Sequence, residues 1–200
     1  FTNPKQAFLD AENAKNEGYY FIHPFDGPLT LQGSATLGLE IVEYLKLINT
    51  KIDNLLISVG GGGLISGVSS YIKQFYPKIK IIGVEPENAN GLNQSLRANK
   101  PLNNVNVNSI ADSLSAPLHM QYSFDVAKEV IDEMVTVSDD EMKKFMVFCY
   151  KKFKLFLEPA CVAGLAALKY KINNKLIGKN TMVILCGSNI DKKTWSDLTN

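Results

Sequence analysis

Leu55-Leu56-Ile57-Ser58-Val59-Gly60-Gly61-Gly62-Gly63-Leu64-Ile65 is the stretch whose reading decides the fold. Ile52 to Val59 is a compact apolar run of strand length, and the glycines Gly60 to Gly63 break it. Ile65, Val68, Ile72 and Phe75 then recur at helical spacing until Pro77, and Lys80 to Glu85 returns as a strand. Strand, glycine turn, helix, strand is a βαβ unit, and its right-handed crossover makes the two strands parallel. The pattern predicts an α/β fold, an open and mostly parallel sheet with helices on both faces.

Successive glycines let the backbone turn tightly and bring several N–H groups to one point. Those donors stand at a helix N-terminus, where aligned peptide dipoles favour an anion, and phosphate is the natural occupant. Each glycine costs about 0.5–1 kcal/mol of backbone entropy relative to alanine, which a plain turn would not require four times over. No Lys-Ser/Thr pair follows, so the loop is not a nucleotide P-loop. A dinucleotide reading stays open: Ile65 spoils the Gly-x-Gly-x-x-Gly fit, yet Glu85 ends the next strand as a ribose-binding acid would.

Outward from this unit, Asn3-Pro4 and Lys5 to Asn16 read as a capped helix ended by Gly18. Tyr19 to Ile22 reads as a short buried strand and His23 to Pro28 as a turn. From Thr36, Leu37, Ile41, Leu45 and Ile48 form one face of an amphipathic helix, with Glu40, Glu43 and Lys46 off it. Residues 88–117 are asparagine-rich loops with one short helix near Leu92 to Leu96, and Met134 to Val137 is a strand. Ser138-Asp139-Asp140-Glu141 is a capping box opening a helix that buries Met142, Phe145, Cys149 and Phe153. A small-residue helix from Pro159 to about Tyr170 precedes a last strand, Thr181 to Cys186.

Charge excludes some functions. The 21 basic and 20 acidic residues nearly cancel and Arg97 is the sole arginine, so neither nucleic acid nor an anionic membrane surface is an expected partner. No apolar run approaches the ~20 residues of a membrane span and no leader is evident, which gives a cytoplasmic expectation. Cys149, Cys161 and Cys186 lack metal-ligand spacing and fit reduced cytosolic thiols. The chain opens on Phe1, directly before a helix pattern, so a truncated or processed product is expected.

Two further clusters could carry chemistry. Leu185-Cys186-Gly187-Ser188-Asn189 lies at the C-terminal edge of the sheet, where open α/β folds bind ligands, and Cys186 or Ser188 could hydrogen-bond a heteroaromatic nitrogen. Taken alone, a cysteine at a strand end is more often core. Glu158-Pro159-Ala160-Cys161 opens a helix, where Glu158 by itself need only complement the dipole.

Taken in order, His23-Pro24-Phe25-Asp26, Gly33-Ser34-Ala35-Thr36, Leu39-Glu40, Ser58 to Leu64, Gly83-Val84-Glu85-Pro86, Leu157 to Cys161 and Cys186 to Ile190 resemble motifs of the fold-type II pyridoxal-phosphate enzymes. The match is most similar to the threonine/serine dehydratases (threonine ammonia-lyases) and their serine racemase relatives, and it covers nearly the whole chain. The resemblance implies the tryptophan synthase beta-like fold, with residues 1–22 a remnant of the small N-terminal domain and residues 23–200 the large phosphate-binding domain. It implies pyridoxal 5'-phosphate as cofactor, bound by Gly60, Gly61, Gly62, Gly63, Glu158, Cys186 and Asn189. Gly60 to Gly63 would cradle the phosphate, Cys186 would face the pyridine nitrogen and Glu158 would line the pocket.

The resemblance also implies a divalent-cation site built on Glu85 and the Ala89 carbonyl, although the acidic residue expected two positions on is Gly91 here. Gly33-Ser34-Ala35-Thr36 stands where the family has Gly-Gln-Gly-Thr. Neither the Schiff-base lysine segment nor the Ser/Thr-Gly-Asn substrate loop occurs in the chain, which reads as a C-terminal fragment inactive alone. The implied activity of the intact enzyme is deamination of L-threonine or L-serine, a small amino-acid substrate, to a 2-oxo acid and ammonia. A homodimer is expected because relatives are often dimers. A serine racemase-like enzyme and a non-catalytic phosphate- or nucleotide-binding module are the alternatives.

Overall fold

The computed structural model describes residues 4–199, with side chains described from residue 6 onward. Asn54–Ser58 forms strand β1, Gly63–Phe75 helix α3 and Lys80–Pro86 strand β2. The two strands pair in parallel, with Leu56 opposite Ile82. Glu133–Val137 (β3) adds in parallel to β2, and Thr181–Val183 (β4) adds in parallel to β1, giving the order β3-β2-β1-β4. The fold is α/β, with an open four-stranded parallel sheet.

Alternation along β1 explains the two cores. Leu55 and Ile57 point to one face, where helices α2 (Pro28–Leu47), α3 and α5 (Gln121–Val130) bury Leu45, Ile65, Ile72 and Phe124. Leu56 points to the other, beneath α6 (Asp139–Phe153) and α7 (Pro159–Tyr170), which contribute Met142, Met146, Ala163 and Ala167. Burial on both faces is why the strand reads as an unbroken apolar run. Small residues set the spacing of the layers: a Cβ on Gly38 of α2 would come within 2.7 Å of the Val68 carbonyl on α3, and one on Gly164 of α7 within 2.7 Å of Val183.

The capping box at the start of α6 is formed in full. The Glu141 N–H donates to Ser138 Oγ at 3.2 Å, and the Ser138 N–H donates to the Glu141 carboxylate at 2.8 Å. Helix α1 covers Pro4–Ala14 and is followed by a 3-10 turn that Gly18 closes at φ 93°. The expected Asn3 cap lies outside the described residues.

Several expectations are corrected. Tyr19 to Ile22 forms no strand; Tyr20 and Ile22 are 79 % and 71 % exposed, and no strand among the described residues pairs with them. Helix α2 starts at Pro28 rather than Thr36, because a proline at the first helical position opens a helix instead of prolonging a turn. Phe153 lies exposed in the last turn of α6, and Met146 takes the buried place between Met142 and Cys149. Strand β4 ends at Val183, so Cys186 falls in the loop beyond it. Helices α4 (Gly91–Ala98), α5, α8 (Asn173–Leu176) and α9 (Lys192–Thr199) complete the chain, and of these only α4 is anticipated by the sequence pattern. No helix among the described residues is long and apolar enough to cross a membrane.

Candidate functional site

The C-terminal ends of the parallel strands open onto a cavity of about 290 Å³. Ser58 and Gly60 to Gly63 form one wall, leading from β1 into the N-terminus of α3. Ser113, Glu158, Cys186 and Phe25 line it as well.

Each glycine of the loop has its own steric reason. Gly62 is the N-cap of α3 at φ +93°, a left-handed conformation that costs a side-chain-bearing residue about 1–2 kcal/mol. A Cβ on Gly60 would stand 3.0 Å from the Ser113 carbonyl, and one on Gly63 would stand 2.7 Å from the Phe25 carbonyl. Gly61 leaves room for the Phe25 ring. Part of the glycine requirement is therefore close packing of neighbouring chain against the loop, which the entropy argument alone assigned to an anion.

What points to a ligand is the donor set. Ser58 Oγ is buried on this wall and has no hydrogen-bond partner among the described residues. An orphaned buried hydroxyl costs about 1–3 kcal/mol unless something accepts from it or donates to it. No lysine or arginine lines the cavity among the described residues, so an anion there would be held by peptide N–H groups, a hydroxyl and the α3 dipole. Ser58 was missed as a ligand candidate in the sequence, although a hydroxyl ending a buried strand beside a glycine loop was the available signal.

Glu158 is the N-cap of α7. Its N–H donates to the Gly187 carbonyl at 3.3 Å, and its own carbonyl accepts from the Cys161 N–H at 3.1 Å. Ser113 Oγ donates to the Glu158 carboxylate at 3.3 Å, tying the segment 111–115 to this wall. Cys186 is exposed at the cavity edge, and burial of its thiol against the wall, followed by the Glu158 carboxylate, holds it above its ordinary value. Near neutral pH it is a thiol and not a thiolate, suited to a weak hydrogen bond with a ring nitrogen. Cys161 is buried, and its thiol is pushed up to about 12 chiefly by burial.

Asn189 is exposed and does not reach the cavity lining. Glu85 is fully buried, and its two oxygens accept from the N–H groups of Leu92 and Asn93 at 2.8 and 2.9 Å, capping α4. Burial raises its carboxyl to about 8 against the pull of those two donors. Ala89 is buried in the 3-10 turn Glu87–Ala89. Among the described residues no three His, Cys, Asp or Glu side chains gather as a metal site.

The sequence pattern of the pyridoxal-phosphate dependent enzymes matches residues 2–187. The chain belongs to that family. The phenylserine dehydratase of Ralstonia pickettii is 41% identical over 180 residues, covering 90% of this chain and 54% of the relative. The catabolic L-threonine dehydratase TdcB of Escherichia coli is 32% identical over 190 residues, covering 94% and 56%. Among solved structures, processed threonine deaminase isoform 2 from Solanum lycopersicum superposes with a TM-score of 0.86 at 34% identity, covering 94% of this chain and 54% of that one. Maize serine racemase does so at 0.82 and 28%, covering 96% and 58%. The chain spans about half the length of the curated relatives it matches.

The cavity fits the family's cofactor on its own chemistry. Peptide N–H groups and Ser58 Oγ suit a phosphate, and the neutral thiol that shares the cavity suits a heteroaromatic nitrogen.

Proposed function

We propose that this chain forms the phosphate-holding side of the active site of a pyridoxal-phosphate-dependent dehydratase that converts a β-hydroxy amino acid, L-threonine or L-serine, into a 2-oxo acid and ammonia. One observation carries the reading: the orphaned Ser58 hydroxyl and the Gly60–Gly63 loop share a cavity with a thiol, Cys186, that stays protonated at neutral pH. The relatives named as phenylserine and threonine dehydratases support the reaction class. In this reading the lysine that binds the cofactor, and the loop that takes the substrate carboxylate, come from outside these residues, and residues 1–22 belong with that second domain.

When bound, pyridoxal phosphate supplies an electron sink for removal of the substrate α-proton. The chain's own contributions are separable. Gly60 to Gly63 and Ser58 anchor the phosphate by donating hydrogen bonds, without a cationic side chain. The Cys186 thiol would face the ring nitrogen and, being neutral, would not fix a proton on it as a carboxylate would. Glu158 holds the Gly187 turn and so places Cys186.

Titration calorimetry with pyridoxine 5'-phosphate, which lacks the reactive aldehyde, tests the site apart from turnover. Binding that inorganic phosphate displaces and NAD does not is the expected outcome. Preference for NAD would replace this reading with a nucleotide-binding module. Joined to the lysine-bearing segment, the protein is expected to release ammonia from threonine, serine or phenylserine, and the ranking of the three identifies the substrate.

A further inference from the structure

Phe25 fills the place where Gly61 has no side chain. A Cβ on Gly61 would fall on the Phe25 ring, and one on Gly63 would come within 2.7 Å of the Phe25 carbonyl oxygen and 2.8 Å of its Cα. Ring and backbone are therefore packed directly on the glycine loop, and Phe25 lines the cavity together with it. No other aromatic side chain belongs to that lining among the described residues. With no lysine or arginine there, peptide N–H groups must hold an anion, and such donors bind more strongly where an apolar neighbour keeps water from them.

The next residue shows how the ring is held. The Asp26 carboxylate accepts from the Ser123 N–H at 2.7 Å, in the first turn of α5, whose N-cap Met120 supplies no side-chain bond. The Ser123 carbonyl accepts in turn from Ser66 Oγ at 3.0 Å, in a buried contact. Ser66 lies on α3, and its N–H donates to the Gly62 carbonyl at 3.0 Å. The contacts close a circuit: Asp26 to α5, α5 to α3, α3 to the glycine loop, and the loop to Phe25, the chain neighbour of Asp26. Asp26 itself lines a different cavity, of about 530 Å³, and is absent from the lining that Phe25 shares with the glycines. A helix cap is ordinarily supplied by the residue that starts the helix, so a cap drawn from beside a cavity-lining ring also fixes that ring.

We propose that Asp26 is a positioning residue for the phosphate seat: its anchor on α5 holds the Phe25 ring against Gly61, where the ring keeps water from the glycine loop. The inference rests on the phosphate reading of the loop and gives the aspartate a part in binding a ligand that it does not touch.

The test is a double-mutant cycle of Asp26→Ala and Phe25→Ala, with Asp26→Asn as the conservative variant. Calorimetry with pyridoxine 5'-phosphate and with inorganic phosphate reads affinity, and the Gly61 α-proton resonances, shifted upfield by a ring packed on them, read the place of Phe25. Expected is binding weakened about tenfold in Phe25→Ala and about fivefold in Asp26→Ala, the scale of one lost contact. Asp26→Asn keeps an oxygen that accepts and is expected within about twofold of the parent. The double variant should bind like Phe25→Ala alone, because Asp26 acts only through the ring. The Gly61 α-protons should lose their upfield shift in Asp26→Ala and keep it in Asp26→Asn. Thermal melts establish that each variant is folded at the assay temperature. If Asp26→Ala is not, all variants are compared in sucrose, which favours the folded state. Parent-like binding by Asp26→Ala or by Phe25→Ala overturns the inference and leaves the phosphate reading intact. So do losses that add in the double variant, or Gly61 α-protons unmoved by Asp26→Ala, either of which reduces Asp26 to a cap on α5. A parent that binds neither phosphate compound removes the reading, and the inference falls with it.

Discussion

Glu158 and Gly187 are locked together across the cavity wall. The Glu158 N–H donates to the Gly187 carbonyl, and a Cβ on Gly187 would fall among the Glu158 carboxylate atoms, with its Cγ 3.0 Å away. The contact joins the start of α7 to the loop carrying Cys186, so the placing of two lining residues depends on a glycine that is not itself in the lining.

Gly187→Ala is expected to disturb the site more than the fold. The atoms it meets belong to a flexible side chain, which can swing away at a stability cost within about 1 kcal/mol, but doing so breaks the Ser113 contact with Glu158. Pyridoxine 5'-phosphate affinity should fall several-fold while the melting temperature moves by at most a few degrees. An unchanged affinity would show that this wall does not meet the ligand.

Gly62→Ala works the other way round, through the backbone. At φ +93° alanine is strained by about 1–2 kcal/mol, which for a chain of this size lowers the melting temperature by roughly 2–8 °C. Gly33→Ala, at a position with nothing within 4 Å and no positive φ, is the control and should not destabilise. Calorimetric melts of the two variants make the comparison.

How much of this was legible in the sequence follows from how local each signal is. β1, the glycine break and α3 could be read because two-sided burial and a missing Cβ leave their mark within a dozen residues. The capping box of α6 is equally local, with both partners three residues apart. Helix α5 was not readable: its buried face is Ser123, Phe124, Ala127 and Val130, with one polar and one small residue among the four, and its first turn is capped by Asp26, whose carboxylate accepts from the Ser123 N–H at 2.7 Å. A cap supplied from 97 residues earlier in the chain has no signature near the helix it starts. Tyr19 to Ile22 failed for the opposite reason, since apolar residues announce burial without saying against what. In the candidate site, the glycine loop, Glu158 and Cys186 were legible as ordered motifs, whereas Ser58 counts only because its hydroxyl ends up buried and unpaired.

Glu85 should make the fold less stable as pH rises. Its folded value is about 8 against 4.5 when free, so between those values the native state keeps a proton that the unfolded chain has lost. Raising pH through that window therefore costs native stability, at about 1.4 kcal/mol per unit. Glu85→Gln removes the slope and loses one of the two caps on α4, about 1 kcal/mol. The variant is expected below the parent in urea midpoint at pH 5 and nearer to it, or above it, at pH 8. Parallel curves would mean that Glu85 is ionised in the native state throughout.

His119 carries the opposite sign, and the two residues should mask each other. The imidazole falls from 6.5 when free to about 4 in the fold, so between those values the unfolded chain takes up a proton that the native state refuses. Stability contributed by this group therefore drops as pH falls from 6.5 toward 4, again by about 1.4 kcal/mol per unit. From pH 4.5 to 6.5 the Glu85 loss with rising pH and the His119 gain have similar slopes and cancel; above 6.5 only the Glu85 loss remains. Each single variant should expose its partner's slope in the shared window: His119→Leu a midpoint that declines steadily from pH 4.5, Glu85→Gln one that climbs to pH 6.5. The difference between variant and parent is the quantity to plot, since it subtracts every other titrating group. A difference that stays flat for His119→Leu would mean that the buried ring takes up a proton as readily as a free one.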